Sequence, residues 1–253
     1  KEIFKLKKKY NFYIIEDASH ALGSEYLGER IGSCKYSEAA VFSFHPVKPI
    51  TTGEGGVVTT NKNEIAKKIE ILRTHGITKD YKNYSRKIKS VFYYEQQLLG
   101  FNYRMSDIEA SIGIEQIKKL NTFRKKRNKA AKIYKSLIDK NIFYLRKESK
   151  NSLSSYHLLI LRIKKKIGLK KYIKIFNEIR KNGIGINLHY FPLHKQIYYK
   201  KKFKNLKFIN AEDYSKQCFS IPLFPNISNR IQSKVVKKIT FIVKKNLNLS
   251  KKS

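Results

Sequence analysis

The stretch that decides the fold is residues 39–58, which read AAVFSFHPVKPITTGEGGVV. An apolar run from Ala39 to Phe44 ends in a polar turn that holds one lysine, Lys48, and a glycine-rich bend leads into a second apolar run. This pattern predicts two strands joined by a loop. A lysine in that position is either a solvated side chain of a surface loop or an amine presented to a carbonyl compound. The neighbouring segments decide between the two.

The segments around this stretch predict an α/β sheet. Residues 2–10 have the pattern of an amphipathic helix, and residues 11–15 form a short apolar run typical of a strand buried on both faces. Asp17 lies at the carboxyl end of that strand, and further strands are predicted at residues 39–44 and 56–60. In sheets of this kind, ligands bind beyond the carboxyl ends of the strands. We therefore look for a site at that edge.

Two helices are predicted after these strands. Asn61 and Glu64 have the spacing of an N-terminal cap, and Ser106-Asp107-Ile108-Glu109 is a capping box that opens a longer helix. Residues 76–98, which are polar and rich in tyrosine, are predicted to form a long loop. The apolar stripe of the longer helix consists of Ile108, Ile112, Ile117, Leu120 and Phe123.

The second half of the chain has a different pattern. Predicted strands at residues 156–163 and 184–190 alternate with two helices, as expected for a small α+β domain. We therefore divide the chain into domains at residues 1–125 and 126–253.

The composition indicates a folded protein with a basic surface. The chain has 253 residues, 41% of them hydrophobic. It contains no run of eighteen apolar residues, so no transmembrane helix is predicted. The formal net charge is +36, but only 10 of the 55 basic residues are arginine. A solvated, compositionally biased surface explains this charge, with a basic polyanion-binding protein as the alternative. We expect no specific nucleic-acid partner and no membrane association.

The two cysteines, Cys34 and Cys218, match no metal or redox spacing. They read as ordinary buried or half-buried thiols and suit a reducing cytoplasm, where we place the protein. No metal site is predicted.

Three polar side chains are predicted at adjacent strand ends. Asp17 is expected to be partly desolvated, and its alternative role is a cap for the next turn. Ser43 is either a ligand hydroxyl or a turn hydroxyl that satisfies local backbone. Together with Lys48, they suit a ligand that has a basic ring nitrogen, a phosphate and an aldehyde, which is pyridoxal 5′-phosphate.

Five motifs have the order and spacing of a known family. They are EDASHA at 16–21, SFHPVKP at 43–49, GEGG at 53–56, RTHG at 73–76 and GFNYRM at 100–105. On these motifs the chain resembles the DegT/DnrJ family, fold type I aminotransferases that use pyridoxal 5′-phosphate and act on nucleotide-linked 4-keto sugars. Residues 44–52 and 189–194 resemble in particular the group that acts in pseudaminic acid biosynthesis. That resemblance implies transfer of an amino group from glutamate to C4 of a UDP-linked 4-keto-6-deoxy-HexNAc sugar.

The resemblance implies roles for the cofactor-binding residues. Lys48 would attach the cofactor covalently and move a proton between substrate and cofactor, and Asp17 would pair with the pyridine nitrogen. His20 would lie against the cofactor, with a structural hydrogen bond as its alternative role. Ser43 would bind the cofactor phosphate, joined by Asn102 from the neighbouring subunit of a homodimer.

The resemblance also implies substrate-side residues. His189, Tyr190 and His194 fall where the small domain of the family borders the sugar-nucleotide cleft, although each could equally be a packed or surface aromatic. Arg104 is either a substrate contact or a structural cation at the subunit interface.

The fold implied by the resemblance is α/β. We expect the carboxyl-terminal part of a fold type I aminotransferase, with an incomplete mixed-sheet large domain and a small α+β domain. Family members carry a long segment before the aspartate, whereas sixteen residues precede Asp17 here. Two alternatives to an active enzyme therefore stay open, a non-catalytic truncated remnant and one half of a split enzyme.

Overall fold

Residues 1–88 and 90–249 are described by a computed structural model, in which the chain divides into two units. Unit 1 comprises Lys1–Asn121 with Asn151–Leu153, and unit 2 comprises Thr122–Lys150 with Ser154–Ser253. The predicted division into domains at residues 1–125 and 126–253 stays a prediction.

Unit 1 contains two helices, a mixed sheet and several short strands. Its elements are α1 (Glu2–Tyr10), β1 (Ile15–Asp17), β2 (Glu25–Tyr26), β3 (Glu29–Arg30), β4 (Ala39–Ser43), β5 (Gly56–Thr59), α2 (Asn63–Leu72), β6 (Ile77–Thr78), a 3₁₀ helix (Tyr81–Asn83) and β7 (Glu95–Gln96). The long helix α3 (Asp107–Leu137) begins in unit 1 and continues into unit 2. Strand β9 (Ser152–Leu153) pairs with β2.

Unit 2 packs helices against an antiparallel sheet. Its further elements are β8 (Phe143–Leu145), β10 (Leu159–Ile163), α4 (Leu169–Lys181), a 3₁₀ helix (Leu193–Lys195), α5 (Ile197–Lys202), α6 (Ile209–Ser215), β11 (Cys218–Ile221) and α7 (Asn229–Asn246). The strand order is β11-β10-β8, and the core combines the sheet with α4, α7 and the second half of α3.

The sheet that positions the candidate site has the order β1-β4-β5. Strand β1 runs parallel to β4, with Asp17 opposite Val41, and β4 runs antiparallel to β5, with Ser43 opposite Gly56. Parallel strands end at the same edge of a sheet, so the carboxyl ends of β1 and β4 meet there. The prediction of strands at residues 39–44 and 56–60 is confirmed within one residue.

The prediction of a doubly buried strand at residues 11–15 is wrong. Strand β1 begins only at Ile15, whose side chain is 68% exposed because its face of the sheet is uncovered, and Val41 on the central strand β4 is exposed as well. The backbone just before β1 bonds to a side chain instead of a neighbouring strand. The Ile14 amide donates to the Glu38 carboxylate at 2.7 Å, and this buried carboxylate also pairs with Lys7. Glu38 therefore ties α1 and the segment before β1 to the start of β4.

Two helix starts test the predicted caps. The capping box of α3 is confirmed, since the Ser106 amide donates to the Glu109 carboxylate at 2.8 Å and the Glu109 amide donates to the Ser106 hydroxyl at 3.3 Å. The cap at Asn61 is wrong. Helix α2 begins at Asn63 with Lys62 as its N-cap residue, because the Asn61 side chain donates to the Ser33 carbonyl at 2.8 Å instead.

Other predictions needed partial correction. The strand predicted at residues 184–190 is an isolated bridge between Asn187 and Ser220, and β11, which supplies Ser220, was not predicted. The predicted loop at residues 76–98 contains the short pair β6 and β7. Of the α3 stripe, Leu120 is buried, whereas the three isoleucines are exposed: Ile108 at 76%, Ile112 at 42% and Ile117 at 53%.

Cys34 and Cys218 are buried free thiols, as predicted. Within residues 1–88 and 90–249, no helix is both long and apolar enough to cross a membrane.

Two glycines allow a matched test of backbone packing in unit 1. Gly53 and Gly76 both have left-handed φ angles, of 88° and 75°. A Cβ on Gly53 would meet nothing within 4 Å, whereas a Cβ on Gly76 would overlap the carbonyl oxygen of Leu98. Gly53→Ala should therefore lose about 1–2 kcal/mol of unfolding free energy through backbone strain alone. Gly76→Ala should lose about 1–3 kcal/mol more through the overlap. Urea unfolding followed by circular dichroism measures both, and equal losses would contradict the close packing of residues 76 and 98.

Candidate active site

The polar side chains predicted to form a site lie at the carboxyl edge of the unit 1 sheet. Asp17 is the last residue of β1, and Ser43 is the last residue of β4. Lys48 lies in the turn that follows β4. Asp17 lies close enough to His20 and Lys48 for a positive charge on either side chain to lower its pKa. The structure therefore places Asp17, His20 and Lys48 in one electrostatic neighbourhood.

Asp17 is held by the next turn of the chain. Its Oδ1 accepts hydrogen bonds from the Ser19 hydroxyl at 2.5 Å and from the Ser19 amide at 3.1 Å. These bonds lower the pKa of Asp17, and the positive charges of His20 and Lys48 lower it further. Asp17 is exposed and acts as the cap of the turn, the alternative role that we named, and a small desolvation partly opposes the lowering of its pKa. The carboxylate is therefore ionised and faces solvent.

Lys48 has a fixed backbone and an unengaged amine. Its amide donates to the His45 carbonyl at 2.9 Å, which closes a tight turn. The Phe44 carbonyl accepts from the Thr51 hydroxyl at 2.8 Å and from the Thr52 amide at 3.1 Å, so the far end of the loop returns to the end of β4. Among the described residues, the half-buried Lys48 ammonium group makes no hydrogen bond or ion pair. Its amine is available to a ligand.

Thr52 and Gly55 anchor this loop, and sequence reasoning missed the role of Thr52. The Thr52 side chain is 1% exposed, and its hydroxyl donates to the Glu54 carbonyl at 2.5 Å. Gly55 has a φ of 143°, which side chains rarely adopt, and a Cβ there would lie 2.7 Å from the Thr52 hydroxyl, so the position favours glycine. The sequence signal was the Thr-Thr-Gly run directly after the lysine turn.

For Ser43 and His20, both alternatives that we named, a ligand contact and a local structural role, stay open. The Ser43 hydroxyl accepts from the His45 amide at 3.4 Å, which is the local turn bond that we named as its alternative. Its side chain is half-buried at the sheet edge. His20 is exposed beside Asp17, where its charge lowers the pKa of the carboxylate.

The segment that carries Asn102 and Arg104 is held by backbone pairing with residues 72–75. The Phe101 amide donates to the Leu72 carbonyl at 2.7 Å, and the His75 amide donates to the Phe101 carbonyl at 2.8 Å. The side chains of Asn102 and Arg104 are exposed. The rings of Phe101 and Tyr103, on either side of Asn102, stack with centroids 4.9 Å apart.

The remaining candidates lie in unit 2. The His189 Nε2 atom is 2.9 Å from the Ser220 hydroxyl, and the His189 ring meets the Tyr190 ring edge-on at 4.9 Å. Tyr190 is 63% exposed, so it presents its ring to solvent.

His194 is engaged in a cluster that the sequence did not predict. Its Nε2 atom lies 3.0 Å from the Glu212 carboxylate, which also pairs with Lys195 at 2.5 Å. Hydrogen bonds from Lys195 and His194 lower the pKa of Glu212 to about 2. The His194 ring also packs edge-on against Phe208 at 5.0 Å. His194 therefore fastens the 3₁₀ helix at Leu193–Lys195 to α6.

The described part of the chain offers no metal site. Within residues 1–88 and 90–249, no three His, Cys, Asp or Glu side chains are grouped to hold a metal ion.

The bonds from Ser19 are the largest cause of the lowered Asp17 pKa, so they can be tested directly. Ser19→Ala should raise the pKa of Asp17 towards its usual value, since the hydroxyl donor is lost. Ser19→Thr is the matched control, because it keeps a hydroxyl at the same position. Carboxyl ¹³C shifts followed through an acid titration measure the pKa. An unchanged Asp17 pKa in Ser19→Ala would contradict this geometry.

Comparison with curated proteins shows clear relatives. The chain is 42% identical over 255 residues to an uncharacterized protein of Methanocaldococcus jannaschii, covering 97% of the chain and 64% of that protein. It is 38% identical over 243 residues to the UDP-4-amino-4,6-dideoxy-N-acetyl-beta-L-altrosamine transaminase of Campylobacter jejuni, covering 96% of the chain and 61% of that protein. The chain thus spans 61–64% of the length of these relatives.

Solved structures show the same likeness. Helicobacter pylori PseC, an aminotransferase involved in the biosynthesis of pseudoaminic acid, matches with a TM-score of 0.85 and 30% identity, over 96% of this chain and 62% of that one. The PLP form of the putative sugar aminotransferase Spr1654 from Streptococcus pneumoniae matches with a TM-score of 0.81 and 27% identity, over 95% of this chain and 60% of that one. The family model of the DegT/DnrJ/EryC1/StrS aminotransferases matches residues 1–240. The chain therefore belongs to the DegT/DnrJ/EryC1/StrS aminotransferase family.

Proposed function

We propose that this chain carries the lysine-bearing part of a pyridoxal 5′-phosphate-dependent aminotransferase. The reaction is transfer of an amino group from glutamate to C4 of a UDP-linked 4-keto-6-deoxy-HexNAc sugar, in pseudaminic acid biosynthesis. The observation that carries this proposal is that the parallel pairing of β1 with β4 brings Asp17, Ser43 and the Lys48 turn to one sheet edge, in a member of an aminotransferase family. The names of the relatives from Campylobacter jejuni and Helicobacter pylori support the choice of substrate.

The residues at the sheet edge fit the cofactor. A carboxylate with a lowered pKa suits a protonated pyridine nitrogen, a half-buried amine without a partner among the described residues suits an aldehyde, and a hydroxyl suits a phosphate. We assign these three roles to Asp17, Lys48 and Ser43, with His20 beside the cofactor. When bound, pyridoxal 5′-phosphate supplies an electron sink that stabilises negative charge on the substrate carbon.

The residues of the chain then handle protons. Asp17 holds the proton on the pyridine nitrogen, because its carboxylate stays ionised under the two Ser19 bonds. Lys48 accepts and returns a proton through its Nζ atom, acting as the general base and acid of the reaction. Bonds from Thr51 and Thr52 to the Phe44 carbonyl fix the backbone of the lysine turn, from which the Lys48 side chain would reach the cofactor.

We assign substrate contacts to four side chains. Tyr190 presents an exposed ring, and Arg104 an exposed guanidinium that suits either the nucleotide phosphates or a subunit interface. His189 bonds to Ser220 and His194 bonds to Glu212. These bonds support a role for both histidines in orienting their segments beside the substrate.

We place the functional domains at residues 1–125 and 126–253.

We further propose that the chain works as a homodimer in which Asn102 binds the cofactor phosphate of the neighbouring subunit. Large apolar side chains are exposed throughout residues 91–117, more than a solvated surface normally carries. Among them are Leu99 at 89%, Phe101 at 53%, Tyr103 at 72% and four isoleucines of α3, Ile108, Ile112, Ile114 and Ile117. Burial of these side chains against a second copy would remove them from water.

The unit 1 sheet has apolar side chains that are exposed to solvent. Ile15, Val41 and Val57 are exposed on β1, β4 and β5, at 68%, 36% and 41%. We propose that this is the incomplete large-domain sheet of a fold type I aminotransferase, and that further polypeptide covers it in an active enzyme. A non-catalytic remnant and one half of a split enzyme are the alternatives to an active chain. Two free thiols support a cytoplasmic location.

The catalytic role of Lys48 can be tested by amino transfer. With glutamate and the UDP-linked keto sugar, Lys48→Ala should lower turnover by at least about 10³-fold, since it removes the proton-transferring amine. Lys62→Ala is the control, because Lys62 is an exposed residue at the start of α2 whose side chain makes no cap bond. Product formation measured by mass spectrometry gives the rates. Full turnover in Lys48→Ala would contradict the role, whereas a folded wild-type chain without turnover would favour the remnant or the split enzyme.

The dimer can be tested by sedimentation velocity. Leu99→Glu should weaken self-association at least about tenfold, because it places a charge in the proposed interface. Ile173→Glu, which changes an exposed residue of α4 in unit 2, should leave the dimer intact. A wild-type chain that stays monomeric at high micromolar concentration would overturn the proposal of a shared site.

A further inference from the structure

The positive charge of the chain is concentrated in unit 2. This unit holds 35 of the 55 Lys and Arg residues but only 5 of the 19 Asp and Glu residues, which gives a net charge of +30. Unit 1, of similar length, holds the other 20 basic and 14 acidic residues, which gives a net charge of +6. A general bias towards lysine would act on both units alike. It therefore does not account for this difference.

The few carboxylates of unit 2 are all engaged by cations. The five pairs are Lys244–Asp139 at 3.4 Å, Lys135–Glu148 at 3.0 Å, Lys245–Glu178 at 2.9 Å, Lys195–Glu212 at 2.5 Å and Lys166–Asp213 at 3.1 Å. Because these acids are neutralised locally, they do not offset the charge of lysines elsewhere in the unit. The surface potential of unit 2 follows its remaining cations.

One group of these cations lies along α7. We call it the α7 basic stripe, and it consists of Arg230, Lys234, Lys237, Lys238 and Phe241. With Ser233, these residues line a shallow, open surface along the helix. All four cations are exposed, and in the part of the chain that the structure describes none of them makes an ion pair. The opposite side of α7 is buried through Val235, Ile239 and Ile242, so the stripe is held in place.

The stripe has the features of a surface for a flexible polyanion. Residues at positions i, i+4, i+7, i+8 and i+11 lie on one face and extend about 16 Å along a helix. Lysine acts as a point charge suited to backbone phosphates, whereas base reading relies more on arginine. Phe241, 62% exposed at the end of the row, offers a face on which a base can stack.

We propose that the α7 basic stripe binds single-stranded nucleic acid without sequence preference. The cations contact phosphates, and Phe241 stacks on a base. A single row of cations about 16 Å long follows the line of phosphates along one strand. This property is separate from amino transfer, and it does not depend on the proposed enzyme activity.

The test uses the 253-residue chain and a labelled twenty-nucleotide oligo(dT), with binding measured by fluorescence anisotropy. The variant R230Q/K234Q/K237Q/K238Q should weaken binding at least about tenfold and reduce the slope of log K against log salt by about 3, as expected for four lost phosphate contacts. The control K200Q/K201Q/K202Q/K204Q removes the same charge from exposed positions in and just after α5. It should weaken binding less than about threefold. Circular dichroism checks that both variants are folded.

A second variant separates stacking from charge. Phe241→Ala should weaken oligo(dT) binding about fivefold, but it should leave the binding of inorganic polyphosphate, which has no bases, unchanged. Equal losses in the two quadruple variants would mean that net charge alone acts, which would overturn the proposal. The absence of oligonucleotide binding at low salt would overturn it too. So would phosphatidylserine vesicles that bind as tightly and show the same loss in the stripe variant.

Discussion

The candidate site depends on the parallel pairing of β1 with β4. This pairing brings Asp17, at the end of β1, and the lysine turn, at the end of β4, to one edge of the sheet. An antiparallel arrangement of the same two strands would place the two groups at opposite edges. Glu38 helps to fix the pairing, since its carboxylate takes the Ile14 amide and pairs with Lys7. The chemistry proposed for Asp17 and Lys48 therefore rests on a structural carboxylate outside the site.

The site combines a rigid backbone with side chains that are ready for a ligand. The loop of Lys48 is tied to Phe44 by two threonines, and Gly55 lets Met105 pack directly against it. Asp17 receives both of its hydrogen bonds from Ser19, and these bonds favour the charged form of the carboxylate. A ligand that binds here meets a fixed backbone and an ionised Asp17 carboxylate, so the ordering that opposes binding is mainly that of the Lys48 side chain.

Local sequence patterns predicted those helices and strands that depend on contacts between residues close together in the chain. The capping box at Ser106 and the strands around the lysine turn both follow from residues a few positions apart. Contacts between distant residues were not predictable in this way. The hydrogen bond from the Ile14 amide to Glu38 joins residues 24 positions apart, and β1 begins after it, at Ile15. Gly55 lies next to Met105, which is fifty residues later in the chain. The short strand β11 is defined by its pairing with β10, so its own four residues gave little signal.

The central claim is that Lys48 is the lysine that binds the cofactor, in a chain with many competing surface lysines. The most direct measurement is to incubate the chain with one equivalent of pyridoxal 5′-phosphate, reduce with borohydride and locate the label by peptide mass spectrometry. We predict that the label lies on the peptide that contains Lys48. A label distributed evenly over exposed lysines, or concentrated on a different one, would contradict the claim.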